Sequence, residues 1–275
     1  MDLTQSKKYI PAPGHLFRQR RFYFLPISII LAILVWETII KVGNFPAFIL
    51  PSPGAVGLRF IQVLADGTLL SNTLATLKEV LAGLAMGVLA AMFLGYLLAK
   101  SPTFERLFGP YIVASQAIPI VAIAPLLVIW FGPGLISKVL ICALIVFFPV
   151  LVNTVVGVRS VPDELRDLMR SLKATRWQTI RLLEMPAALP VILGGLRIGA
   201  TLSVIGAVVG EFVGANRGLG FMINRARGQY DTALVFVAVL TLVFMALVLY
   251  GVVVWAEARS LKWRQRPEQP ILSKN

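Results

Sequence analysis

Residues 72–99 read NTLATLKEVLAGLAMGVLAAMFLGYLLA. After Lys78 and Glu79 no charge appears until Lys100. An uncharged apolar run of about 20 residues is long enough, as a helix, to cross a hydrocarbon core about 30 Å thick. Within it Gly83, Gly87, Ala91 and Gly95 recur every fourth position. Positions i and i+4 share one helix face, so this seam admits another backbone at close range. The stretch therefore predicts a membrane helix packed tightly against a neighbour.

Similar runs lie on either side of it. Spans are expected near 22–42, 72–99, 108–131, 136–157, 189–213 and 232–256. The fold class that follows is all-α: a polytopic membrane helix bundle of six transmembrane helices. It divides into a basic tail over 1–21, a membrane domain over 22–256 and a second tail over 257–275. The first run (22–45, FYFLPISIILAILVWETIIKVGNF) is too long for a signal-peptide core and lacks an A-x-A cleavage pattern, so it reads as a retained anchor.

Composition agrees. Only 14% of the 275 residues are charged and 57% are hydrophobic, whereas soluble domains carry about 25% charged residues. The net charge of +13 would suit nucleic acid in a soluble chain, but here basic loops on one membrane face explain it and no nucleic acid is expected. With the termini and the 100–107 and 158–189 loops placed in the cytoplasm, and Arg197 near the inner end of the fifth span counted with them, 19 of the 26 Lys and Arg fall on that side. One cysteine, Cys142, excludes an internal disulfide, and its apolar surroundings assign it to packing. The single His15 and the lack of any His/Cys/acid cluster exclude a metal centre, and no cofactor is expected. No G-x-x-x-x-G-K-[ST] loop exists; GPGLISK at 132–138 is the nearest approach and falls between two spans. The chain is thus not expected to hydrolyse ATP or to act as an enzyme.

Outside the bilayer, Pro51, Pro53 and Gly54 break any helix before a short amphipathic stretch, and 214–231 (GANRGLGFMINRARGQYD) suggests a loop or short interfacial helix. In the third span Pro119 and Pro125 should each kink the helix and free carbonyls. Gln116, Pro119, Asn153, Thr201 and Ser203 are candidates for a polar translocation path, with helix–helix hydrogen bonds as the alternative. Glu211, deep in the fifth span, joins them. It should face the bundle interior or the outer surface, tied to Arg217, Arg225 or Arg227. The fifth span has its own seam, Gly195, Gly199, Ser203 and Ala207, with Gly206, Gly210 and Gly214 alongside. Packing within one subunit and contact with a second subunit both account for it.

The 158–189 loop is the most specific feature: VRSVPDELRDLMRSLKATRWQTIRLLEMPAAL. Pro162, Asp163 and Glu164 make a helix start, and Thr175 with Gln178 makes a capping box for a second helix. Pro186 and Pro190 should end the hairpin before the chain re-enters the membrane. Leu165, Leu168, Met169, Leu172, Trp177 and Ile180 provide an apolar face for a partner's groove.

This loop resembles the EAA loop of permeases of bacterial ATP-binding-cassette importers. The match falls on Asp167, Leu168 and Met169, then Lys173, then Leu183 to Pro186. Asp replaces the usual Glu, Leu-Met the usual alanines, and Lys173 the usual glycine. LPSPGAV, TLKEVLAG, QAIPIVAIAPLLVIWFG, FFPVLVNT, GLRIG and EFVGANRGLGFMI are similar to the nitrate/sulfonate/taurine branch. That branch includes permeases for thiamine-pyrimidine precursors and riboflavin. The resemblance implies cytoplasmic ATPase subunits that couple through Asp167, Leu168, Met169, Lys173, Trp177 and Pro186. It also implies a second permease copy, an extracytoplasmic solute-binding protein, and import of a vitamin-like heterocycle or a small anion. A stand-alone secondary transporter or channel would instead need a relay of membrane acids, and only Glu37, Glu79 and Glu211 are scattered through the spans.

Overall fold

The computed structural model describes residues 16–262, with side chains from residue 26 onward. His15, most of the 1–21 tail and residues 263–275 lie outside the described residues. Eleven helices run α1 (Leu16–Gly43), α2 (Pro53–Ala65), α3 (Thr68–Lys100), α4 (Pro102–Gln116), α5 (Ile120–Phe131), α6 (Leu135–Arg159), α7 (Asp163–Ser171), α8 (Arg176–Thr179), α9 (Met185–Gly214), α10 (Leu219–Gly228) and α11 (Thr232–Ser260). There is no strand among the described residues.

Five helical stretches are long and apolar enough to cross a membrane, and α4 with α5 makes a sixth if that bent pair is one span. The expected third span is therefore not one kinked helix. It is two helices meeting at 98°. Pro119, extended at φ −68° and ψ 116°, begins α5. It offers no N–H to the preceding turn and drives Ile118 out of helical backbone, so the chain turns there. Pro125, also expected to kink the span, stays inside α5.

Both glycine seams open onto α6, which lies between α3 and α9. A Cβ on Gly87 would come within 2.7 Å of the Ala143 carbonyl, and one on Gly206 within 2.7 Å of the Cys142 Cα. At those crossings backbone meets backbone, which only glycine permits. The fifth-span seam is thus spent inside the subunit: Gly195 meets Asn153, Gly199 meets Val146 and Val150, and Gly210 meets Lys138. Cys142 is buried where the two seams meet, its Sγ 3.3 Å from the Ser203 carbonyl, so its role is packing. Val80, Ala200, Val204, Leu219, Val237 and their neighbours join α3, α9, α10 and α11 into the largest apolar core.

Trp36 of α1 stacks on Phe236 of α11 with ring centroids 5.0 Å apart, but residues 26–43 bury none of their length in the subunit. The apolar faces of α1 and α11 suit lipid rather than a protein core. Ser52 caps α2 and accepts the Ala55 N–H, which gives the Pro51–Pro53–Gly54 break its expected outcome. Arg59 of α2 holds Asp231 at the start of α11. Between α2 and α3, hydrogen bonds from Thr68 hold the Asp66 carboxyl below the usual carboxylate range.

Candidate functional site

The loop between α6 and α9 folds into a hairpin at one end of the bundle. Asp163 and Glu164 occupy the first turn of α7 and Arg170 its last, each at the favourable end of the helix dipole. The helix stops at Lys173, whose φ of +52° is left-handed. Ala174 N–H donates to the Met169 carbonyl (3.0 Å) and Lys173 N–H to that of Arg170 (2.9 Å). This pair of bonds is the Schellman closure, and its left-handed position is normally glycine. Lysine there costs about 1 kcal/mol, a cost that glycine would avoid.

The turn leads into Thr175, which forms the expected capping box with Gln178. The hairpin does not end at Pro186 and Pro190 as expected. Helix runs without interruption from Arg176 to Gly214. Pro186 cannot donate to the preceding turn, and the strain is absorbed by a π turn over Ile180–Glu184, where Met185 N–H reaches back to the Ile180 carbonyl. At 39 residues this helix is about 58 Å long, nearly twice the hydrocarbon thickness, so its first turns project beyond the bilayer.

Leu165, Leu168 (53% exposed) and Leu172 recur at helical spacing along α7 and its C-cap and are exposed, and Trp177 of α8 is 68% exposed. Met169, beside Leu168, is half-buried. Asp167 is exposed and paired with Arg170 one turn on.

A buried carboxylate ties the hairpin to the spans. Glu184, in the π turn, is 1% exposed. It takes an ion pair from Lys100 and a hydrogen bond from the Tyr96 hydroxyl (3.0 Å), both on α3. Arg166 of α7 lies 3.9 Å away and donates to the Val158 carbonyl at the end of α6 (2.9 Å). An isolated buried charge would be costly; with these partners it becomes a clamp. The family resemblance gives Glu184, between Leu183 and Met185, no role of its own. Its signal is present all the same: it is the one acid between Arg176 and Arg197. At the same end Arg159 grips Glu105 through two nitrogens (2.6 and 2.7 Å), and Arg197 pairs with Glu257 of α11.

At the opposite end Glu211 is 1% exposed and none of Arg217, Arg225 and Arg227 is its partner. It accepts the Thr76 hydroxyl (2.6 Å) and the Gly220 N–H. Thr76 in turn accepts the Leu219 N–H (2.8 Å), and Asn72 accepts that of Gly218 (2.8 Å). Two polar residues of α3 and one carboxylate of α9 thus satisfy the free N–H groups opening α10, which suits a tie for the loop. Gly218 has φ +124°, and a Cβ on it would overlap the Glu211 carboxylate. That is the physical content of the R-G-L-G stretch. Beside this tie Glu79 and Lys138, scattered in the sequence, form a buried ion pair at 2.8 Å.

The family described as "Binding-protein-dependent transport system inner membrane component" matches residues 83–262, a segment that contains the hairpin, the Glu184 clamp and the α9 and α10 residues of the Glu211 tie. The chain belongs to this family. It is a permease subunit of an ATP-binding-cassette importer and a multi-pass inner-membrane protein. The permease is 48% identical over 239 residues to the riboflavin transport system permease protein RibX of Chloroflexus aurantiacus (87% of this chain, 89% of the relative). It is 35% identical over 237 residues to the formylaminopyrimidine transport permease protein ThiX of Halalkalibacterium halodurans (86% and 94%). Identity to the taurine transport system permease protein TauC of Escherichia coli is 34% over 223 residues (78% and 81%). A chain of the inward-facing MetNI methionine transporter shares the fold, with TM-score 0.64 and 18% identity over 71% of this chain and 97% of that one.

The permease does not bring its candidate path residues together. Ser203 is wholly buried and donates to the Ala200 carbonyl, and Glu211 is sealed in the tie just described. Neither faces an open path. Gln116 and Pro119 are exposed at the α4–α5 bend. Asn153 and Thr201 are half-exposed on α6 and α9, with donors turned to the Pro149 and Ile198 carbonyls.

Proposed function

We propose that this permease imports riboflavin or a related vitamin-like heterocycle, powered by separate cytoplasmic ATPase subunits that engage the α7–α8 hairpin. The observation that carries the coupling role is the exposed stripe of Leu165, Leu168, Leu172 and Trp177 on a hairpin closed at its turn and clamped by Glu184. Water-exposed apolar side chains on a projecting, rigid element suit a groove on a partner protein. Asp167, Met169, Lys173 and Pro186 contribute by shaping that element.

The hairpin continues as one helix into α9, and α9 lies against α6 along glycine-rich backbone contacts. A push from closing ATPases would reach the membrane helices as a rigid-body displacement, with little side-chain repacking along the seams. A second copy of the chain would complete the pore. Gln116, Pro119, Asn153 and Thr201 are the path candidates that remain accessible, whereas Ser203 and Glu211 support the walls. A binding protein would deliver solute on the side of the Glu211 tie, and both termini would lie in the cytoplasm, as the bias of Lys and Arg supports.

The substrate reading rests on 48% identity to a permease named for riboflavin, with small anions such as taurine or sulfonates as the second reading. The test is growth of a riboflavin-requiring bacterium expressing this chain with the ATPase and binding protein encoded beside it. Growth on limiting riboflavin is expected only when all three are present. A neighbouring binding protein that holds taurine or a sulfonate and ignores riboflavin and pyrimidines would overturn the assignment. Cysteines replacing Ser171 and Asn216 should label from the cytoplasm and the exterior respectively; the reverse would overturn the orientation and the coupling role together.

A further inference from the structure

Between the hairpin and the end of α3 lies an open cavity of about 640 Å³. Lys100, Arg166, Arg170 and Arg176 line it together with Tyr96 and Thr179, and the buried Glu184 forms its inner side. Four cations line the cavity against Glu184, and with Asp163 and Asp167 paired to Arg166 and Arg170 one positive charge is left uncompensated. The commitments of these cations differ. Lys100 is held by Glu184, and Arg166 is shared between Asp163 and the Val158 carbonyl. Arg170 meets Asp167 only in an exposed pair, 80% and 67% accessible, of the kind that contributes little. Arg176 has no side-chain hydrogen bond or ion pair among the described residues.

We propose that this cavity binds a phosphate group, supplied by an anionic lipid headgroup. Guanidinium groups present planar pairs of donors that match phosphate oxygens, and two of them, on Arg170 and Arg176, can be drawn from weak or absent partners without breaking the Glu184 clamp. The position favours this source. Lys100 ends the membrane-crossing helix α3 and the cavity opens beside that end, on the side where basic pockets between helices meet anionic lipid. A bound headgroup would bridge α7 and α8 to α3 and stiffen the hairpin. A soluble phosphate carries the same chemistry from another source.

The experiment uses the full-length chain extracted in detergent with whatever subunits copurify. Binding is followed by native mass spectrometry and by the shift in melting temperature. Three probes are titrated: dioctanoyl phosphatidylglycerol, dioctanoyl phosphatidylcholine and inorganic phosphate. Phosphatidylglycerol is expected to bind and raise the melting temperature where phosphatidylcholine does not, and Arg176→Gln is expected to weaken it about tenfold. Arg176→Lys, which keeps the charge but not the planar donor pair, should bind between the unaltered chain and Arg176→Gln and so separates a lost contact from a lost fold. If inorganic phosphate gives an equal shift, also weakened by Arg176→Gln, the site holds but the lipid source is overturned. If neither anion binds more tightly than phosphatidylcholine, or Arg176→Gln binds like the unaltered chain, the site does not exist. Because lipid binding is read directly, a wrong substrate or ATPase assignment leaves this result interpretable.

Discussion

Replacing Glu184 with alanine removes the carboxylate that joins the hairpin to α3. Breaking a buried ion pair from one side costs about 3–5 kcal/mol when the remaining charge is trapped. Here the trapped partner has an escape, because the Lys100 side chain is 36% exposed and can turn into water. The Tyr96 hydroxyl loses its acceptor as well. A net loss of about 2 kcal/mol is therefore expected, confined to the hairpin's attachment. That corresponds to about a thirtyfold rise in local opening. Hydrogen exchange on the purified complex reads it directly: amides of 163–179 should exchange about thirtyfold faster, while those of α6 and the middle of α9 stay unchanged. Lys100→Ala strands the 1% exposed carboxylate, which has no route to water, and should give at least as large an acceleration in the same segment. The double variant should fall well short of the sum, since both remove one interaction. Unchanged exchange at 163–179 in Glu184→Ala would refute the clamp, and so would strict additivity with Lys100→Ala.

Lys173→Gly relieves the left-handed lysine and should slow exchange in the hairpin about fivefold, a gain of about 1 kcal/mol, with ATPase binding kept. Faster exchange would mean that the lysine side chain contributes more than its backbone costs. Leu168→Asp puts a charge in the middle of the exposed stripe and should release the ATPase in a pull-down while the chain reaches the membrane at normal level; retention of the ATPase would remove the stripe from the interface. Gly218→Ala forces a Cβ into the Glu211 carboxylate at φ +124° and should sharply lower the yield of folded permease. Asn224→Ala, which loses only one exposed hydrogen bond to the Phe212 carbonyl, should leave the yield within about twofold.

Much of this permease is legible one residue at a time. Uncharged runs of about membrane length place the spans, because every backbone polar group in lipid must be satisfied locally. Thr175 and Gln178 announce their capping box three residues apart, and the acids after Pro162 announce a helix start. These signals are local in the chain, and so is the physics behind them. Lys173 is a mixed case: the resemblance to loops with glycine marks the place, but the +52° backbone angle explains it.

What the sequence leaves open depends on which helix lies opposite which. Two prolines in the third span look equivalent, yet the chain turns at Pro119 and stays helical at Pro125, since packing decides where a freed carbonyl is tolerated. The fifth-span glycines fit a subunit interface as well as a helix inside the subunit; the backbone of α6, which a Cβ on Gly206 would meet at 2.7 Å, decides for the latter. Charge suggests charge, so the sequence matches Glu211 with nearby arginines, but its partners are a hydroxyl 135 residues earlier in the chain and a backbone N–H. Glu184 is marked in the sequence only as the one acid between Arg176 and Arg197. Its importance arises because α3 ends beside the π turn and delivers Tyr96 and Lys100 there. Burial and long-range pairing are properties of the assembled bundle, and only the assembled bundle could assign them.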